Sequence, residues 1–307
     1  MSRFIVIPEN PLPPGAEAFT FTASDSAQLR AAYFPTENAV GTVLLVTGWS
    51  EFIEKYFEVV GDLQARRLNV AMMDWRGQGL SDDPKRWPYY FDRLTDDLRQ
   101  FRDGPVAEKF GAAPVYLMTH SMGGLPGLLL MSTGYDGFER AILCAPMTRL
   151  FKAAMNSVVG IAASVASLSG LGNTKVARGD DDSRSFDGNM FTSDPARHAR
   201  FKALQDAEPA AARTAPTYGW LRDATRASNL LHKDDRLQPL RTPVKIISAG
   251  LEQRIDADDH KTIAARSALI DHAVIPGALH EIMMERDEIR ALYWRAADAF
   301  LDIAEAA

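Results

Sequence analysis

Val115-Tyr116-Leu117-Met118-Thr119-His120-Ser121-Met122-Gly123-Gly124 is the stretch whose reading decides the rest of the chain. Residues 115–119 form a short apolar run with strand character, His120-Ser121-Met122 makes a sharp turn, and Gly123-Gly124-Leu125 opens a helix. A serine between a strand and a helix matches the nucleophile elbow, G-x-S-x-G, in which a strained turn lifts the hydroxyl above the sheet edge. The last glycine of that pattern is Gly123, whereas Thr119 stands in the first place. The competing reading is a serine that merely caps a helix opening on glycines. The rest of the chain decides between them.

The chain has 307 residues, 46% hydrophobic and 24% charged, which suits one large domain or a core carrying an insertion. Its formal net charge of −6 and the lack of a dense basic run argue against nucleic acid as a partner. The single cysteine, Cys144, excludes an internal disulfide and fits a reducing compartment. It sits in an apolar strand-like run and reads as a buried, inert thiol. The apolar part of the N-terminus, Phe4-Ile5-Val6-Ile7, is too short for a signal-peptide core, and residues 158–172 are too short and too rich in serine and glycine to span a bilayer. These features predict a soluble, cytoplasmic protein open to peripheral membrane contact; they say nothing of its oligomeric state.

Strand and helix alternate along the first half. Residues 18–23 and 28–34 read as an antiparallel pair. The continuous apolar run 42–47 is of the kind buried on both faces of a parallel sheet, and Phe52, Tyr56, Val59, Val60 and Leu63 share one face of a helix over 52–67. A strand over 69–74, a long helix over 90–110, the elbow strand and a strand over 141–145 follow. The loop Asp74-Trp75-Arg76-Gly77-Gln78-Gly79-Leu80-Ser81 is not a dinucleotide fingerprint, because Asp82 stands where the third glycine belongs and Pro84 follows. The pattern predicts an α/β fold with an open, mostly parallel sheet covered by helices on both faces.

Alternation stops near Pro146 and resumes near residue 242. The residues between carry helical patterns over 153–168, 195–206 and 217–231, so residues 147–241 read as a mainly helical cap inserted between core segments 1–146 and 242–307. Asp180-Asp181-Asp182 lacks the ligand spacing of a calcium loop, and no cysteine–histidine cluster offers a zinc site; no metal or cofactor is expected. A strand ending at Gly250, a helix over 260–267, a strand over 271–276 and a helix over 285–304 complete the chain.

A serine hydroxyl needs a base, itself oriented by a carboxylate. His280, in Gly277-Ala278-Leu279-His280-Glu281, follows the last strand and is the candidate base. His120 is expected to point away into packing. Glu252 stands nearest the end of the preceding strand and is the favoured acid; Asp256, four residues on, is the alternative and otherwise caps the next helix.

These residues resemble the α/β-hydrolase superfamily in its lysophospholipase and monoacylglycerol lipase branch. The resemblance rests on Gly48-Trp-Ser-Glu-Phe-Ile-Glu-Lys-Tyr56, Asp74–Ser81, His120-Ser-Met-Gly-Gly124, Ala145-Pro-Met147, Pro216-Thr-Tyr-Gly-Trp220 and His280-Glu-Ile-Met-Met-Glu-Arg-Asp-Glu-Ile-Arg290. It covers nearly the whole chain, and the Pro216–Trp220 block is similar to bacterial lysophospholipases in particular. It implies the α/β-hydrolase fold and a serine esterase acting on lipid-like carboxylic esters without a cofactor, with Ser121 as nucleophile, His280 as base and Glu252 where the family usually has aspartate. It also implies that the backbone N–H groups of Trp49 and Met122 form the oxyanion hole. Phe151, Phe191 and Trp220 of the cap are candidates to line an acyl pocket. A small-ester esterase, an aminopeptidase and a non-catalytic binding protein remain as alternatives on the same scaffold. Two departures stand out. Thr47 replaces the family's histidine before Gly48, and Thr119 replaces its glycine before the elbow; they are read as a matched pair, Thr119 filling space that the missing histidine leaves.

Overall fold

The computed structural model describes residues 3–82, 90–176, 185–212 and 215–302. The acidic run Asp180–Asp182 and Pro84 lie outside them. Eight strands, β1 Glu17–Thr22, β2 Gln28–Phe34, β3 Gly41–Val46, β4 Leu68–Met73, β5 Val115–His120, β6 Arg140–Cys144, β7 Val244–Ala249 and β8 Ile270–Ile275, form one sheet in the order β1-β2-β4-β3-β5-β6-β7-β8. The β1–β2 and β2–β4 pairs are antiparallel and the five pairs from β4–β3 to β7–β8 are parallel. Every residue of β3 and β5 is buried, which is why these strands are apolar runs rather than alternating ones.

Helices cover both faces. α1 (Phe57–Ala65) and α9 (Asp287–Leu301) pack with Val43, Leu45, Met72, Met118 and Ile142 on one side. On the other, α2 (Tyr90–Phe101) and α4 (Gly124–Met131) pack with Leu44, Val46, Leu117 and Leu143, and Ile263 of α8 (Asp258–Ala264) joins them. Side chains of successive strand residues point to opposite faces, so neighbouring residues of β3 and β5 divide between these two cores.

Two expected helices are interrupted. The predicted helix over 90–110 breaks after Phe101 into a π-turn, Arg102–Val106, before the short α3 (Ala107–Phe110). Pro105 sits in that turn, where its missing N–H and its ring disfavour a regular helix. The predicted helix over 52–67 starts instead as a 3-10 turn, Ile53–Tyr56. The Ile53 N–H there is held by Asp74 Oδ1 at 3.0 Å.

Between β6 and β7 the chain forms α5 (Ala153–Ala166), α6 (Pro195–Ala207) and α7 (Tyr218–Leu231). Asp194 and Thr217 cap α6 and α7 by accepting from the N–H groups of Arg197 and Trp220. α7 is fastened to the core by Asp223, which accepts from Phe91 N–H at 2.8 Å, and by the Arg226–Asp92 ion pair. Its Trp220, Leu221, Ala224 and Ala227 enter the same apolar cluster as α2 and α4.

Candidate active site

The parallel strands direct their carboxyl ends to one edge of the sheet, and the candidate residues gather there. β5 ends at His120, and Ser121 adopts φ +48°, a left-handed conformation that a side-chain-bearing residue takes only when its surroundings enforce it. The surroundings here are tight. A Cβ on Gly123 would lie 2.7 Å from the Thr47 carbonyl oxygen, and one on Gly124 would lie 2.4 Å from Pro146 Cβ. The two glycines let α4 start directly against the ends of β3 and β6, which gives the turn its sharpness. The capping alternative fails, since the N-cap of α4 is Gly123 with no side-chain cap, and the Ser121 hydroxyl meets a histidine instead.

That histidine is His280. Its Nε2 lies 2.8 Å from Ser121 Oγ, and its Nδ1 lies 2.7 Å from Glu252 Oε2. The loops after β7 and β8 bring the two together, and both side chains are nearly buried. Glu252 Oε1 also accepts from Arg254 N–H at 2.7 Å. Burial pushes the Glu252 carboxyl up, but the hydrogen bond and charge of His280 outweigh it and hold the group below the usual carboxylate range. Asp256, the alternative acid, has no hydrogen bond to His280; its carboxylate is 3.8 Å from Lys152 Nζ. Of the two carboxylates the longer one, nearer the strand end, makes the contact.

The His280 backbone is also fixed from the connection between β6 and β7. Met190 O accepts from His280 N–H at 3.4 Å, Phe191 O accepts from Glu281 N–H at 2.7 Å, and Thr192 Oγ1 donates to Met284 O at 2.6 Å. Phe191 itself lies under the Arg254 guanidinium, 5.1 Å from its ring centre. Trp220 is buried against Trp49, with ring centres 4.9 Å apart, while Phe151 packs half-buried on the main core. The three aromatic residues therefore occupy three different environments. Trp220 is the one packed, at a tilt of 56°, against Trp49 of the loop that follows β3.

That loop approaches the serine closely. A Cβ on Gly48 would stand 3.1 Å from Ser121 Cβ and 3.0 Å from His120 Nδ1, so position 48 has no room for a side chain. Trp49 and Met122 thus follow two chain segments that meet at Ser121. Gln78, in the turn after β4, accepts from Ser50 N–H at 2.7 Å and reaches Met122 Sδ at 3.5 Å, so the Asp74–Ser81 turn supports both segments from beside the site. Asp74 organises that turn, accepting from Leu80 N–H at 2.8 Å and from Arg30 Nε at 2.6 Å.

Two expectations change. His120 does not simply disappear into packing: its Nδ1 is 3.1 Å from Glu51 Oε2 and its Nε2 is 3.2 Å from the His280 carbonyl oxygen. Glu51 also accepts from Lys55 at 2.6 Å and Tyr56 at 2.7 Å, and Lys55 bridges to Glu281 at 2.6 Å. The signal was present in the charged residues Glu51, Glu54 and Lys55 among the apolar residues of the helix start, which are costly to bury unless they meet partners. The matched threonine pair does not form either. Val46, not Thr47, stands opposite Thr119 in the β3–β5 register. Thr119 Cγ2 instead lies 3.5 Å from where a Cβ on Gly127 would sit, and its Oγ1 lies 3.4 Å from that of Gly124. The bulk at position 119 is accommodated by glycines of α4, on the sheet face away from Thr47's neighbour His120.

Cys144 is fully buried, and burial pushes its thiol far above the usual range. Among the described residues no group of three histidine, cysteine or acidic side chains is placed to hold a metal ion.

Comparison with known proteins gives the same frame. The family model described as serine aminopeptidase, S33, matches residues 37–287. Lysophospholipase L2 of Escherichia coli K12 is 25% identical over 304 residues, covering 92% of this chain and 86% of its own length. Among solved structures, a soluble variant of monoglyceride lipase from Saccharomyces cerevisiae, in complex with a substrate analog, has a TM-score of 0.74 at 21% identity, covering 95% of this chain and 96% of that one. A thermostable carboxyl esterase from Bacillus coagulans, in complex with glycerol, has a TM-score of 0.71 at 17% identity, covering 94% and 98%. An eight-stranded, mostly parallel sheet with a serine elbow at its carboxyl edge, and a family match spanning most of the sequence, make this chain a hydrolase of the α/β-hydrolase family.

Proposed function

We propose that the protein is a serine hydrolase of lipid-like carboxylic esters, of lysophospholipase or monoacylglycerol lipase type. The observation that carries this reading is the continuous chain Ser121 Oγ, His280, Glu252, at 2.8 and 2.7 Å, on an elbow with positive φ. Ser121 attacks the ester carbonyl while His280 Nε2 takes its proton; Glu252 holds Nδ1–H and stabilises the imidazolium that forms. The oxyanion is held by the N–H groups of Trp49 and Met122, each worth about 3 kcal/mol in the transition state. His280 then returns the proton to the leaving alcohol, and a water activated by the same histidine releases the acyl group.

The lipid-like substrate is supported by the 25%-identical lysophospholipase and by the apolar surroundings of the site, where Trp49, Trp220 and Phe91 cluster. The family model's description favours aminopeptidase activity as a second reading. Recognition of a free α-amine calls for an available carboxylate, and among the described residues Glu252 is engaged by His280, Glu51 by His120 and Lys55, and Glu281 by Lys55. Hydrolysis of p-nitrophenyl esters from acetate to palmitate, beside aminoacyl anilides and with Ser121→Ala as control, separates the two. The ester reading expects turnover that peaks at medium or long chains and is lost in the variant. Turnover of anilides alone would sink it.

The same reading extends to a lipid surface. Residues Ala153–Leu171 form a helix long and apolar enough to cross a membrane by length and composition. Its inner residues Val159 and Ala163 pack against the protein, whereas Ile161 and Leu168 are 67% and 83% exposed, with Met155, Val158 and Val165 beside them. This segment carries no charged side chain. An outward apolar stripe on a helix docked against its own protein suits lying in the plane of a lipid interface rather than spanning it.

A further inference from the structure

The structure assigns His120 a second task, that of a positioning residue: as an imidazolium it ties the His280 loop to Glu51 in the loop that carries Trp49, and its proton on Nε2 holds the His280 backbone in register with Ser121. The assignment of both protons follows from the partners. Glu51 receives Gly48 N–H, Lys55 Nζ, Tyr56 O–H and His120 Nδ1. The buried Lys55 ammonium beside it keeps Glu51 ionised and therefore acceptor-only, so His120 Nδ1 must carry a hydrogen to approach it. The other ring nitrogen faces the His280 carbonyl, which can only accept. An imidazole with two acceptors satisfies both only when doubly protonated.

The charges balance in that state. Lys55 and His120 are positive, and Glu51 and Glu281 are negative, with all four side chains nearly withdrawn from water. Burial alone would favour neutral His120, but the Glu51 charge and hydrogen bond keep it protonated above the usual histidine range. Glu51 is held well below the usual carboxylate range against the effect of burial by His120 and Lys55. Cys144 and Tyr56, from β6 and the 3-10 turn, are kept neutral by burial beside this cluster, and Glu252 faces it from the loop after β7.

Losing a proton from His120 would leave a net negative charge in the buried cluster and remove one of two hydrogen bonds. Ionised Glu51 retains Nδ1–H, so the bond given up is the one from Nε2 to His280 O. That carbonyl belongs to the residue whose ring must stay 2.8 Å from Ser121 and 2.7 Å from Glu252. A displacement of about 1 Å there costs about 100-fold in rate.

The protonation can be read without any substrate, whereas the effect on turnover rests on the ester-hydrolase reading. In the 307-residue chain with 15N-labelled histidine, His120 is expected to show imidazolium-type shifts at both ring nitrogens at about pH 7, where a free histidine is mostly neutral. The His120→Gln variant identifies the signals, and in it the downfield Nδ1–H proton of His280 is expected to move. A neutral His120 ring at about pH 7, or a His280 proton unchanged in the variant, would overturn the assignment even if no ester were turned over. Where esters are turned over, the variant is expected to lose about 10- to 100-fold in kcat with little change in KM, and to lose the alkaline fall of kcat that His120 imposes on the parent. Full kcat in a folded variant would contradict the positioning role.

Discussion

Glu252 is a carboxylate with one extra methylene where the family usually has aspartate, and the loop after β7 still delivers its Oε2 to within 2.7 Å of His280. Glu252→Gln keeps the shape and removes the charge that stabilises the imidazolium, so kcat is expected to drop about 10³- to 10⁴-fold while the fold persists. The same residue predicts a pH dependence of stability. Its folded-state carboxyl lies below the ordinary value of 4.5, so its contribution is fully present above 4.5 and is lost as pH falls through the lower, folded value. Acid unfolding curves of the parent should therefore fall more steeply below about pH 4.5 than those of the Gln variant. Thr119 predicts the opposite kind of effect. Its hydroxyl is buried with no hydrogen-bond partner, so Thr119→Val should raise unfolding free energy by about 1 kcal/mol in a denaturant titration and leave esterase activity unchanged. At this scale the serine, histidine and glutamate were legible because each follows a strand end. His120 was not, because strand alternation correctly turns it away from the serine yet says nothing of a carbonyl 160 residues further along the chain.

Strands were easier to read than helices. Runs such as Gly41–Val46 and Val115–His120 are apolar at nearly every position because both faces of a central parallel strand are covered. Helix ends depend on contacts made elsewhere, as with Ile53 N–H on Asp74 or the π-turn around Pro105. Residues 158–172 read in sequence as too short to span a bilayer, yet the helix runs over Ala153–Leu171 and is long and apolar enough by length and composition; which of its faces meets solvent is decided by α7, against which Gly160 packs closely enough that a Cβ would lie 2.8 Å from Thr225 Oγ1. The exposed stripe predicts co-sedimentation with lipid vesicles that is weakened when Ile161 and Leu168 are both replaced by serine, at unchanged thermal stability. Equal recovery of parent and double variant in the vesicle pellet would count against a lipid-facing role for α5.

For the molecule as a whole, alternation of strand and helix was enough to expect an open, mostly parallel sheet with a helical insertion between the serine and its partners. Sheet order and the knitting of residues 190–192 onto 280–284 are not written in any local pattern, because both join segments distant in sequence. That knitting joins the β6–β7 connection to the histidine loop, and the hydrogen-bonded chain itself brings together three separate stretches, around Ser121, Glu252 and His280. The claim that depends on all three is that Ser121 is an activated nucleophile. Incubation with a fluorophosphonate followed by intact-mass measurement and peptide mapping tests it without assuming a substrate. The account predicts a single adduct on Ser121, slowed by about 10³-fold or more in His280→Ala. An unmodified Ser121 in folded protein, or an adduct rate indifferent to His280, would contradict it.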